Sequence, residues 1–134
     1  MNSKLYDAAE LMGRILIAAI FIMAGYGKIA GYAGTQGYME SMGVPGALLP
    51  LVIVTELGGG ILVVLGLWTR LAAFALGGFS GLSALLFHAN FGDQMQMIMF
   101  MKDFAMAGGF LFLVAHGAGA LSVDAWRAKR GTTP

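Results

Sequence analysis

Four apolar stretches, at about Leu11–Ile29, Val44–Trp68, Leu71–Phe91 and Ile98–Leu121, take up most of this 134-residue chain. A transmembrane helix needs about 20 predominantly apolar residues. In hydrocarbon, each backbone N–H and C=O must find its partner inside the protein, so such stretches form helices. Composition points the same way: 58% of the residues are hydrophobic and 11% charged, where a soluble domain carries about 25% charged residues. A water-soluble globule is excluded. The expected fold is an all-α membrane protein, one domain over residues 1–134, folded as a four-transmembrane-helix bundle in a lipid bilayer.

The first stretch starts close to Met1, where a signal peptide would lie, but it closes at Lys28–Ile29 without a small-x-small cleavage pattern. It reads as a retained membrane anchor. Pro45 and Pro50 suit the first turns of the second span. Gly31–Gly43 reads as an interfacial loop or short helix, with Tyr32 and Tyr38 at headgroup level. Thr69–Arg70 alone links spans two and three, as a tight hairpin. Lys4, Arg70, Arg127, Lys129 and Arg130 gather on one side with Trp68 and Trp126, whereas the loops of the other side carry no Lys or Arg. The positive-inside rule then places both termini in the cytoplasm, as an even number of spans requires.

The formal net charge is +1 and no basic face is clustered, which argues against nucleic acid. Without cysteine there is no disulfide, thiolate metal site or covalent haem of the usual type. The 21 glycines fall largely inside the spans, in patterns such as Gly27-x-x-x-Gly31 and Gly77-x-x-x-Gly81. These suit close helix packing within one bundle, or between copies in a homo-oligomer.

The polar residues inside the spans are Arg14, Lys28, Glu56, His88, Lys102, Asp103 and His116. Such groups are costly in lipid and normally face the protein interior in pairs. Residues 14 apart lie only about 40° apart around a helix, so Arg14 and Lys28 share a stripe through Ala18, Phe21 and Gly25. Lys102 and His116 share one through Met106, Gly109 and Leu113. Glu56 lies beside Gly59, Gly60 and Val63, and His88 shares its face with Gly77, Gly81 and Ala84. By rise along the helices, Lys28, His88, Lys102 and Asp103 lie toward the extracytoplasmic side, Arg14 and His116 toward the cytoplasm, and Glu56 near the middle. A structural ion pair between Arg14 and Glu56 is expected, in the planar geometry arginine favours.

The functional reading makes Glu56 and Asp103 catalytic proton-relay carboxylates. Lys28, His88, Lys102 and Tyr26 are the candidate donors to a substrate such as a quinone. Each has a plainer alternative: a register-fixing pair, snorkelling lysines, a hydrogen-bonded packing histidine. His88 and His116 fall in opposite leaflets, so they cannot clamp one haem, and no metal site is expected. Met95, Met97, Met99 and Met101 alternate, and thioethers suit Cu(I). In a helix, however, residues two apart diverge, so apolar filling at the start of the fourth span is preferred.

Arg14–Ile29, R-I-L-I-A-A-I-F-I-M-A-G-Y-G-K-I, resembles the first span of the DoxX family. Glu56–Ala73, E-L-G-G-G-I-L-V-V-L-G-L-W-T-R-L-A-A, resembles its second span and exit. Lys102–Phe110, K-D-F-A-M-A-G-G-F, and Gly119–Asp124, G-A-L-S-V-D, complete the pattern. Arg14, Lys28, Glu56, Arg70 and Lys102 match polar positions of that family. Asp103 stands where many members have Asn, and His116–Gly117–Ala118–Gly119 replaces a commoner Gly-Pro-Gly. The resemblance implies a small four-helix protein of the prokaryotic cytoplasmic (inner) membrane. It also implies membrane redox chemistry, as in subunits of an archaeal thiosulfate–quinone oxidoreductase, or a link to oxidative or thiol stress.

The expected function is thus a membrane redox protein or subunit, quinone-linked, whose electrons come from a membrane or peripheral redox partner protein or from a diffusing substrate. The alternatives are a non-enzymatic scaffold or accessory subunit of a membrane complex and, behind it, a small-molecule permease.

Overall fold

The computed structural model describes residues 2–130. Helix α1 (Ser3–Ala30) starts earlier than the apolar stretch it contains, because the Asn2 side chain caps it by accepting from the Lys4 N–H at 2.7 Å. Helix α2 (Tyr32–Ser41) follows after Gly31 and resolves the expected loop or short helix in favour of the helix.

The second span, Gly46–Leu65, is built from four helical segments. A 3₁₀ turn at Gly46–Leu48 leads into α3 (Leu49–Ile53), which carries Pro50 in its first turn. A π-helical turn at Val54–Gly58 then widens the helix around Glu56, and α4 (Gly59–Leu65) completes the span. Single π turns inside helices recur at functional sites. The span stops at Gly66, whose positive φ of 69° lets the turn close onto the helix's last carbonyls. It therefore ends short of Trp68.

Helix α5 (Thr69–Phe87) begins at once and ends before His88, four residues short of the expected limit. Helix α6 (Gln94–His116) is shifted toward the N-terminus relative to the expected 98–121. Capping decides this. The Asp93 side chain accepts from the Met95 N–H at 3.0 Å, and Gly117, at φ 78°, stops the helix. After a short turn, α7 (Val123–Lys129) runs back to the hairpin between α4 and α5. Its Asp124 carboxylate accepts from the Trp68 N–H (2.9 Å), the Thr69 N–H (3.0 Å) and the Thr69 hydroxyl (2.8 Å). The Asp124 N–H donates in turn to Gly66 O at 2.8 Å. The first N–H groups of α5, orphaned by helix geometry, are thus satisfied from another helix.

Helix α1 packs on the second span, α4 packs on α5, and α5 packs on α6. Phe110 of α6 closes the ring against Phe21 of α1, the two rings edge to face at 5.4 Å. The core comprises Ala18, Phe21, Val63, Ala72, Ala73, Leu76 and Phe110. Small residues set the spacing between helices: a Cβ at Gly25 would lie 3.0 Å from the Leu57 backbone nitrogen, and one at Gly60 2.7 Å from Ile22. The residues α1 buries are Arg14, Ala18, Phe21 and Gly25, the stripe read from their spacing. Only 6% of the α6 span is buried, so this helix lies at the rim and turns most of its apolar surface outward. Four helices are long and apolar enough to span a membrane, and the described residues contain no strand.

Candidate functional site

Glu56 sits in the π turn with its side chain 5% exposed. From the last turn of α1, Lys28 reaches it, placing Nζ 2.7 Å from Glu56 Oε1. Charge attraction is strong where water is excluded, and pairing is what makes a carboxylate tolerable at this depth. Lys28 keeps 28% of its side chain exposed, so one end of the pair is accessible and the other is not.

The exposed end opens into a lateral cavity of about 510 Å³ between the second span, α2 and α5. Lys28, Thr55 and Glu56 supply its polar groups, and Leu51, Phe79 and Leu82 are among its apolar lining. His88 and Ser83 also reach the cavity. At its rim Tyr38 of α2 stacks on Phe87 of α5, with centroids 5.5 Å apart and planes 25° from parallel. A mostly apolar chamber of this size with a few convergent polar groups has the form of a small-molecule site.

His88, at the end of α5, ties that helix to α6. Its Nδ1 donates to Gln96 Oε1 at 2.9 Å, and its Nε2 lies 3.9 Å from Asp103 Oδ2. With Nδ1 committed to Gln96, Nε2 faces the Asp103 carboxylate from beyond hydrogen-bond reach. The cavity therefore meets two contacts between oppositely charged residue types, Lys28–Glu56 directly and His88–Asp103 through the imidazole.

The expected partner of Glu56 has to be corrected. Arg14 is buried, but its Nη1 donates to Val63 O (3.1 Å) and Val64 O (3.0 Å), and its Nη2 donates to Leu121 O. Val64 O at the end of α4 and Leu121 O before α7 are carbonyls left without helical partners, and Val63 O shares Arg14 with the Gly66 N–H at 3.2 Å. Axial register is the cause. With Gly25 against Leu57 and Gly60 against Ala18 and Ile22, α1 and the second span run antiparallel, and Arg14 falls level with the end of α4. Glu56 lies about two turns nearer the opposite end.

Two other candidates stand apart from the cavity. Tyr26 is 70% exposed on the outer face of α1. Lys102 is exposed on α6, as is His116, so the stripe through Lys102 and His116 does not bring those groups inward. On α6 it is Asp103, one residue on, that turns to His88. Met95, Met97, Met99 and Met101 are all exposed along α6, diverging as helical spacing requires. Among the described residues, no three His, Asp or Glu side chains converge as metal ligands. Sequence reasoning missed Tyr38, Thr55, Ser83 and Gln96. Tyr38 could have been suspected from its place in an interfacial segment, and Gln96 from lying eight residues after His88.

Comparison with known proteins finds a family model, DoxX, matching residues 9–89. The chain is 53% identical over 121 residues to "Inner membrane protein YqjF" of Escherichia coli (strain K12), covering 90% of this chain and 93% of that protein. It is 38% identical over 121 residues to "Inner membrane protein YphA" of the same organism, covering 85% and 86%. It is also 34% identical over 76 residues to a Bacillus subtilis (strain 168) protein named "Putative oxidoreductase CatD", covering 55% and 57%. No solved structure matches. Four membrane-spanning helices, the resemblance read from the motifs and these relatives agree, and this multi-pass inner-membrane chain belongs to the DoxX family.

Proposed function

We propose that this chain is the membrane-embedded subunit of a redox system, and that its lateral cavity takes the ring of a lipid-soluble quinone. The observation that carries the reading is the Lys28–Glu56 pair, 2.7 Å apart, in the wall of a 510 Å³ apolar chamber inside the span region. A quinone supplies two-electron, two-proton chemistry when bound. Lys28 donates a hydrogen bond to a ring oxygen, Glu56 holds the exchangeable proton behind it, and His88 with Asp103 offers a second proton-exchanging pair at the α5–α6 end. Tyr38 and Phe87 present flat faces to a ring at the rim. Electrons come from a separate redox protein. One relative bears an oxidoreductase name, which supports the class of chemistry. Both termini lie in the cytoplasm on this reading, so the cavity opens in the outer leaflet.

The test is native mass spectrometry on full-length protein released gently from its own membrane, followed by organic extraction of whatever is bound. A stoichiometric quinone, lost in Glu56→Gln, is the expected result. The rim position of α6, with 6% of its span buried, favours a second reading as a non-enzymatic accessory subunit. A stable protein partner without any small molecule would support that reading and overturn the first.

A further inference from the structure

The end of the bundle where α1 starts and α7 lies holds a second, separate cleft. It measures about 490 Å³ and lies among the hairpin before α5, the turn after α6 and α7. Arg70 and Arg127 line it, and among the described residues neither forms a salt bridge, although the Asp124 carboxylate lies near enough to feel the Arg127 charge. The remaining charge in its wall, Asp124, is turned onto the Trp68 and Thr69 donors. The Arg70 guanidinium lies against Gly117, where a Cβ would come within 3.3 Å of its Nε, so glycine at this positive-φ turn leaves the arginine its place. Trp68 and Trp126, each 57% exposed, mark this level as the membrane–water interface.

From the same face an apolar groove of about 220 Å³ runs toward the membrane middle between α5 and α6. Phe74, Gly77 and Gly78 form one wall, and Ala107, Leu111 and Val114 the other. Those α5 residues stand four, seven and eight positions after Arg70, the spacing of a single helix face. Val114 stands three before Gly117 in the cleft, so on both helices the groove begins about one turn from the cleft. A basic cleft at headgroup level with an apolar groove about one turn below it matches one occupant in both charge and polarity.

We infer that this face binds an anionic phospholipid, its phosphodiester between Arg70 and Arg127 and one acyl chain in the α5–α6 groove. Basic pockets between membrane helices take anionic headgroups in this way. The site shares neither arginine with the Lys28–Glu56 cavity and does not depend on its function.

The test is lipid titration of full-length protein in mild detergent, read by native mass spectrometry. Phosphatidylglycerol should bind at one per chain, well ahead of phosphatidylcholine. Each arginine is worth about fivefold in affinity, so R70Q/R127Q should bind about 25-fold more weakly, while R70K/R127K keeps most of the binding. A107L fills the groove and should lower affinity with both arginines intact. Equal binding of phosphatidylcholine, indifference to the arginine pair, or full affinity in A107L would each overturn the assignment. Displacement of the lipid by millimolar inorganic phosphate would do so too, as it would show a site for a free anion.

Discussion

Removing either member of the Lys28–Glu56 pair should have unequal consequences, because the two groups are unequally buried. Their side chains are 28% and 5% exposed. In Glu56→Gln, Lys28 is left without its carboxylate, but its long stem can swing the ammonium toward headgroups, so the loss of stability should be about 1 kcal/mol. In Lys28→Met, the carboxylate remains buried and has no comparable reach. Breaking a buried pair in this sense costs about 3–5 kcal/mol. The carboxyl can instead take up a proton, which for an ordinary glutamate near pKa 4.3 costs about 3.7 kcal/mol at pH 7. That figure caps the penalty, and at pH 5 the cap falls to about 1 kcal/mol. Thermal unfolding in mild detergent at the two pH values should therefore show Lys28→Met strongly destabilised at pH 7 and much less so at pH 5. Glu56→Gln should be little changed at either, and the double variant more stable than Lys28→Met alone. Equal losses for the two single variants, or a double variant no better than Lys28→Met, would refute the idea that burial asymmetry governs the pair.

Arg14→Leu leaves the carbonyls of Val64 and Leu121 without a donor and takes one of two donors from Val63 O. Hydrogen bonds to charged groups contribute about 1.5–3 kcal/mol each, so its thermal unfolding should fall by the equivalent of at least one such bond, with Arg14→Lys between it and the parent. Asp124 gives acid sensitivity at the other side of the same hairpin. Burial pushes its carboxyl up, but hydrogen bonds from the Thr69 N–H and hydroxyl and the Trp68 N–H, with the Arg127 charge, outweigh this and hold it below the usual carboxylate range. A depressed value means that the folded state binds protons less readily than the unfolded chain. Its stabilisation is complete above the ordinary carboxylate value near 4 and is lost as pH falls through the folded one. Unfolding profiles between pH 7 and 3 should thus be flatter for Asp124→Asn than for the parent; parallel profiles would remove Asp124 as the source. The chain has no cysteine, so Ser3→Cys and Asn90→Cys give clean labels for topology. A maleimide that cannot cross membranes should reach position 90 from outside the inner membrane, and position 3 only after that membrane is breached. The reverse pattern would invert the proposed orientation.

Sequence alone determined the solvent, the helices and one buried face. Segment length and the scarcity of charge demanded four spans, because lipid offers no partner to a free backbone group. The 14-residue interval from Arg14 to Lys28 located the stripe that α1 buries, because angular position around a helix follows from residue count. Helix ends were less legible. Apolar runs report where lipid is, whereas the Asn2 and Asp93 caps and the turns at Gly66 and Gly117 decide where helical hydrogen bonding starts and stops. Tertiary structure alone decided who meets whom. Residue count says nothing about how far one helix slides along its neighbour. That register follows from contacts such as Gly25 with Leu57 and Gly60 with Ile22. It carried Arg14 past Glu56 to the end of α4 and handed the carboxylate to Lys28. The π turn that aims Glu56, the α2 helix that brings Tyr38 to the cavity rim, and the α7 carboxylate that caps α5 likewise depend on groups distant in the chain.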